Sequence, residues 1–243
     1  MPNPTDEEVA ICNAVSELGA SAWKASINQE GLSTDPKMMS VMLFKRLWSN
    51  HRGFLVLWQK SLPLEAAIVL RSGIEAAICV TANHAMKQRF VDLMNLDAAF
   101  TVRGQAKRYR EQGDTEAAAE AQQTFEHLMA ALPKGSRPAS LNWKDLADEG
   151  GIPSLYTYHR MLSGTSSHVT GMSILKGVTY DEESALLQAE YDALTRRLHL
   201  MMMSFATLHA TQLHALMIGA EAINIRAREL VQRMNVLPSL IAE

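Results

Sequence analysis

The sequence predicts an all-α fold, a single-domain multi-helix bundle packed around one buried central helix at about residues 63–86. Three observations predict it. Ala, Leu, Met, Glu, Gln and Arg abound, while alternating Val/Ile/Thr/Tyr runs of strand type are almost absent. Apolar residues recur at helical spacing between capping, Pro and Gly signals. One stretch, Pro63 to Met86, is apolar nearly all the way round, and a helix without a polar face is usually enclosed by others. With 243 residues, 47% hydrophobic and 20% charged, the chain is long enough for a large core and too apolar for disorder. No repeat, low-complexity tract or long linker divides it, so residues 1–243 read as one domain.

The elements follow in order. Thr5 and Glu8 have capping-box spacing and open a first helix to about Gln29, with Val9, Cys12, Val15, Leu18 and Trp23 on its apolar stripe. Asp35-Pro36 starts a second, since Pro suits the first helical position; Gly53 is its weak point. Pro63 begins the central third helix. A fourth spans about Gln88 to Gln112, and Gly113-Asp114 separates it from a fifth, Thr115 to Ala131. The Pro- and Gly-containing run Leu132 to Leu141 reads as a loop, after which Asn142 caps a short helix over Trp143 to Asp148. Another helix runs from about Ser154 to Leu162. The stretch Ser163 to Thr179, with three glycines, is expected to be a functional loop. Thr179 and Glu182 repeat the capping-box spacing and open a long helix to about Ala220, and a last helix ends before Pro238.

Charge and motif searches exclude several functions. Lys plus Arg is 23 against 26 for Asp plus Glu, a net charge of −3, which is no basis for a nucleic-acid coat or a membrane-surface protein. The acidic start MPNPTDEEVA is unlike a secretion signal, and Cys12 and Cys79 read as reduced buried thiols, so a cytoplasmic protein is expected. Leu198 to Ala220 holds no Asp, Glu, Lys or Arg, yet its three histidines and its Ser, Thr and Gln residues make it too polar for a membrane span. No phosphate loop, dinucleotide fingerprint, H-E-x-x-H, helical di-iron motif or G-x-S-x-G is present. His209 and His214 are about 140° apart around a helix, so no metal face forms, and neither metal nor cofactor is expected. The 14 methionines, Met201 to Met203 among them, read as core filler, and the Met-rich helix is where a homo-oligomer would form.

Two sets of residues remain as site candidates. Arg71 and Glu75 are charges on the enclosed helix, tolerable there only if paired. They are either a structural ion pair or a pocket in which Arg71 binds an anion and Glu75 orients a partner. If fully enclosed, Glu75→Ala would cost about 3–5 kcal/mol. The second set is Tyr158-His159-Arg160-Met161-Leu162-Ser163-Gly164-Thr165-Ser166-Ser167-His168, which gathers hydroxyls, a guanidinium and two imidazoles at a helix end. His168 is its candidate general acid/base, or else pins the loop by one hydrogen bond. The two sets are expected to meet, because each would be unsatisfied alone. Arg103, Lys107 and Arg110 line one stripe of the fourth helix, either as a solvated face or facing phosphate.

L-R-S-G-I-E-A, Leu70 to Ala76, and Y-H-R-M-L-S-G-T-S-S-H, Tyr158 to His168, resemble a bacterial all-helical family catalogued as a domain of unknown function. The likeness covers about residues 63–175. In that family's pattern an Arg and a Glu share a helix and Tyr, Ser and His follow downstream, which falls here on Arg71, Glu75, Tyr158, Ser163 and His168. It implies a helical fold and no established reaction. More distantly the chain is similar to the helical HEPN nucleases of toxin and phage-defence systems. Those set an Arg and a His closer together than the seven residues between Arg160 and His168. That likeness implies RNA as a partner, with His168 assisting 2′-hydroxyl attack, an Arg stabilising the phosphorane-like charge, and no metal. The expected function is a non-catalytic interaction or ligand-binding bundle with Arg71, Glu75, Tyr158, Arg160 and Ser163 as a polar cluster. The alternative is HEPN-like RNA cleavage, with His168 and Arg71 as catalytic residues.

Overall fold

The computed structural model describes residues 3–166, 171–175 and 178–237. They form α1 (Asp6–Ser26), α2 (Pro36–Gln59), α3 (Pro63–Met86), α4 (Gln88–Glu111), α5 (Thr115–Ala130), α6 (Trp143–Glu149), α7 (Pro153–Thr165), α8 (Gly171–Leu175), α9 (Glu182–Met217) and α10 (Glu221–Asn235). No strand occurs among the described residues, and the fold is an all-α multi-helix bundle.

α3 is the hub, packed against α2, α9, α6, α7 and α4. From Gly73 to Asn83 nearly every residue is buried, Ile74, Ala77, Ile78, Val80 and Ala82 completely so. Its first turns depart from the expectation of full enclosure. Leu64 is 52% and Ile68 45% exposed, so these apolar side chains border open space and not another helix. α2 runs unbroken through Gly53, which faces Val69 of α3. A Cβ on Gly150, just past α6, would run into Thr81 Oγ1 and the Ala82 backbone, so α6 rides against α3 backbone at that point. α4 and α5 make a hairpin that docks through Phe90 and Val91, while α5 buries only Ala118. The basic stripe of α4 is exposed, with Lys107 paired to Glu111 at 3.7 Å and Arg110 donating to Gln122.

Helix ends follow side-chain chemistry. Thr5 caps α1 and Glu8 returns the bond, the full capping box the spacing predicts. Asn142 caps α6. α9 begins two residues later than predicted: Asp181, not Thr179, is its N-cap, exchanging bonds with Ser184 at 2.7 and 3.0 Å. A carboxylate is the stronger acceptor for the open first-turn N–H groups, and Asp outranks Thr at this position.

α9 explains its own polar load. His199, Ser204, Thr207, Thr211 and His214 are buried, each facing into the bundle. Among the described residues no helix is long and apolar enough to cross a membrane. Met201 and Met203 are buried in the main core and Met202 packs against it. Most of the apolar surface of these methionines is used inside the chain, with Met202 only partly buried.

Candidate functional site

The Arg71–Glu75 pair and the segment after Tyr158 meet where α7 crosses α3. Arg71 Nη2 lies 2.9 Å from Glu75 Oε1, and Arg71 Nε donates to Ser163 Oγ at 3.0 Å. The same Glu75 oxygen sits 3.0 Å from His159 Nε2. Ser163 Oγ donates in turn to the His159 carbonyl at 2.7 Å, the usual use of a helical Ser against the residue four back. A carboxylate can only accept, so His159 Nε2 carries a hydrogen, and Nδ1 is enclosed without a partner. The 3.4 Å approach of Arg71 Nη2 to that Nε2 is then a contact between two donors.

The cluster is half-buried, not a core pair: the Arg71 and Glu75 side chains are 25% and 18% exposed. Burial alone would raise the Glu75 carboxyl, but the His159 hydrogen bond and the Arg71 charge outweigh it and hold it below its ordinary value. Because water reaches one side, Glu75→Ala should cost about 2 kcal/mol, less than the 3–5 of a fully enclosed pair. Urea unfolding checks it, with Glu120→Ala on the exposed face of α5 as the neutral comparison.

The candidate residues divide as follows. Arg71, Glu75 and Ser163 come together. Ser163 sits on the last turn of α7 and not at the start of a loop, because the helix continues to Thr165. Tyr158 is half-buried against the main core, where burial raises its hydroxyl pKa, and joins none of these hydrogen bonds. Arg160 is exposed. His168 lies outside the described residues. The group that sequence reasoning passed over is His159. Leu155, His159 and Leu162 repeat at four and three residues and are all buried, so the apolar stripe of α7 itself pointed to this imidazole.

One turn from the cluster on both α3 and α7 lies a cavity of about 480 Å³. Leu62, Leu64 and Ala67 from the start of α3 and Trp58 from the end of α2 give it apolar walls. Thr165 and Ser166 close the α7 side, and Asp192, Ala193 and Arg196 the α9 side. No family model, curated protein or solved structure matches this chain. The site is therefore read from its own chemistry. Among the described residues no three His, Cys, Asp or Glu side chains converge as metal ligands would.

Two further histidines look like catalytic groups and are not placed as such. His51 lies between Ser16 Oγ (2.8 Å) and Thr207 Oγ1 (2.9 Å), and His214 between Ser26 Oγ (2.7 Å) and Ser40 Oγ (2.8 Å). Both are fully buried, so no substrate reaches them. Burial lowers His51 to about 4 and His214 to about 3, which keeps both neutral. The thiols of Cys12 and Cys79 are free and buried, and burial pushes them up to about 11 and about 12, so neither is a nucleophile near neutrality.

Proposed function

We propose that the protein is a non-catalytic binding protein for a small, largely apolar molecule, held in the cavity between α2, α3, α7 and α9. The observation behind this reading is the cavity itself. Its volume of about 480 Å³ falls in the range that encloses a small organic ligand, and its apolar walls carry a few placed polar groups. The Arg71–Glu75–His159–Ser163 cluster supports the reading by its closure. Its hydrogen bonds run between its own members and fasten α7 to α3, which sets the position of Thr165 and Ser166 on the cavity wall. The free, buried cysteines fit a cytoplasmic setting.

The neutral fluorescent probe N-phenyl-1-naphthylamine tests it. One probe per chain should bind, and Ala193→Trp should weaken it about ten-fold or more by filling the space from the α9 side, with the helical circular dichroism unchanged. Ala193 is on the outer half of α9, so the larger ring need not disturb the core. Probe binding that ignores Ala193→Trp would overturn the site. Metal-independent cleavage of mixed RNA in EDTA, lost in a folded His168→Asn variant, would overturn the non-catalytic reading in favour of the HEPN-like one.

A further inference from the structure

Resting on that binding reading, we infer that the ligand carries a single carboxylate and that Arg196 is the group that recognises it. Arg196 lines the cavity and is fixed before any ligand arrives. Its guanidinium stacks over the Trp58 ring at 4.6 Å, its Nη2 donates to the Trp58 carbonyl at 3.1 Å, and the Trp58 indole N–H returns a bond to the Arg196 carbonyl at 3.1 Å. A guanidinium on an aromatic face presents a pre-organised fork of donors.

No carboxylate lies within 4.0 Å of Arg196 among the described residues; most arginines of the chain share this, but Arg196 is the one that lines the cavity. Its Nε is enclosed, out of reach of a ligand as of water, and its Nη2 already serves the Trp58 carbonyl. The remaining Nη hydrogens are left to meet a ligand oxygen, which supplies the counter-charge.

The remaining walls narrow the class. Asp192, one turn earlier on α9, also lines the cavity, with its carboxylate held by Gln188 at 2.8 Å. It repels a second negative charge, which disfavours phosphates and dicarboxylates. Leu62, Leu64 and Ala67 demand an apolar body. The first turn of α3 starts at this wall without a side-chain cap, and its partial positive charge has the same sign as Arg196; the assignment stands on Arg196. An aliphatic or aromatic monocarboxylate meets all of these demands.

Isothermal titration calorimetry of the full chain with octanoate, 1-octanol and octylammonium, equal in chain length and different in head group, tests the assignment. Octanoate should bind about ten-fold tighter than octanol, the value of one charge-assisted hydrogen bond, and octylammonium weakest. Arg196→Gln should bring octanoate down to the affinity of octanol, while Arg228→Gln, the same charge change at an exposed site on α10, should leave the ratio intact. Equal binding of octanoate and octanol by the wild type would overturn the carboxylate and leave the cavity reading standing. Preference for octylammonium would overturn it in favour of Asp192 as the recognising group. Binding of none of the three would overturn both. If Arg196→Gln does not fold, the wild-type ratio still discriminates between the head groups.

Discussion

At pH 5 the chain should be about 4 kcal/mol less stable than at pH 7.5, most of it traceable to His51 and His214. Both imidazoles are enclosed and neutral, and their hydroxyl partners fix the tautomer. Ser16 Oγ already donates to the Cys12 carbonyl at 2.9 Å and Ser26 Oγ to the Ala22 carbonyl at 2.7 Å. Each serine can therefore only accept, so Nε2 of each ring bears the hydrogen. Nδ1 then accepts from Thr207 in one case and Ser40 in the other. A second proton on Nδ1 would face a hydroxyl already committed as a donor, in a site closed to solvent. The Phe44 ring stacked on His214 at 4.3 Å leaves no room for it to turn away.

The sign follows from linkage. In the unfolded chain each imidazole binds a proton below about pH 6.5; in the folded chain His51 waits until about 4 and His214 until about 3. The stability these groups contribute is complete above about 6.5 and is lost as the pH falls, at about 1.4 kcal/mol per pH unit for each. Glu8 and Glu75, both lowered, add their own loss only further down, through the carboxylate range. Urea unfolding at the two pH values measures the total. His51→Gln and His214→Gln keep one donor and one acceptor without titrating, so each should remove about 2 kcal/mol of the difference; His84 and His209, lowered by burial, add smaller losses in the same range. Equal stability of the wild type at both pH values would show that the rings take up protons inside the fold without cost.

The same α9 residues mark where the sequence stopped being legible. Local signals located the helices well: Pro63 set the start of α3, and the Thr5–Glu8 spacing set the start of α1. Polarity in α9 was visible as a reason against a membrane span, but its partners were not. Ser26 and His214 are separated by 188 residues and His51 and Thr207 by 156, and no periodicity connects such positions. Arg71 and Ser163, 92 residues apart, could be joined in advance because each sat on an otherwise apolar or capped element and needed a partner. The cavity had no sequence signature. It exists because the first turns of α3 and the first half of α9 are not packed together, and Leu64 and Ile68 read in the sequence as ordinary core positions.

Arg197→Ala should cost about 3 kcal/mol, more than Glu75→Ala although both break an Arg–Glu pair. The difference lies in enclosure and geometry. Arg197 holds Glu8 with Nε at 3.0 and 2.8 Å from its two oxygens and Nη2 at 2.7 Å, and the two side chains are 14% and 2% exposed. Glu8 also closes the capping box by accepting from the Thr5 N–H at 2.8 Å, so one carboxylate starts α1 and ties it to α9. Burial alone would raise Glu8; Arg197 and Thr5 together outweigh it and hold the carboxyl below its ordinary value. Removing the guanidinium leaves a buried charge with only the Thr5 amide. A double-mutant cycle with Glu8→Gln, which keeps an oxygen for Thr5, should give a coupling of about 2 kcal/mol; additivity within about 0.5 kcal/mol would show the pair to be solvent-separated. The Arg197→Ala deficit should also narrow as the pH falls through the carboxylate range, since a protonated Glu8 no longer requires a cation. A deficit that stays constant with pH would assign the loss to the packing of the Arg197 stem and not to its charge.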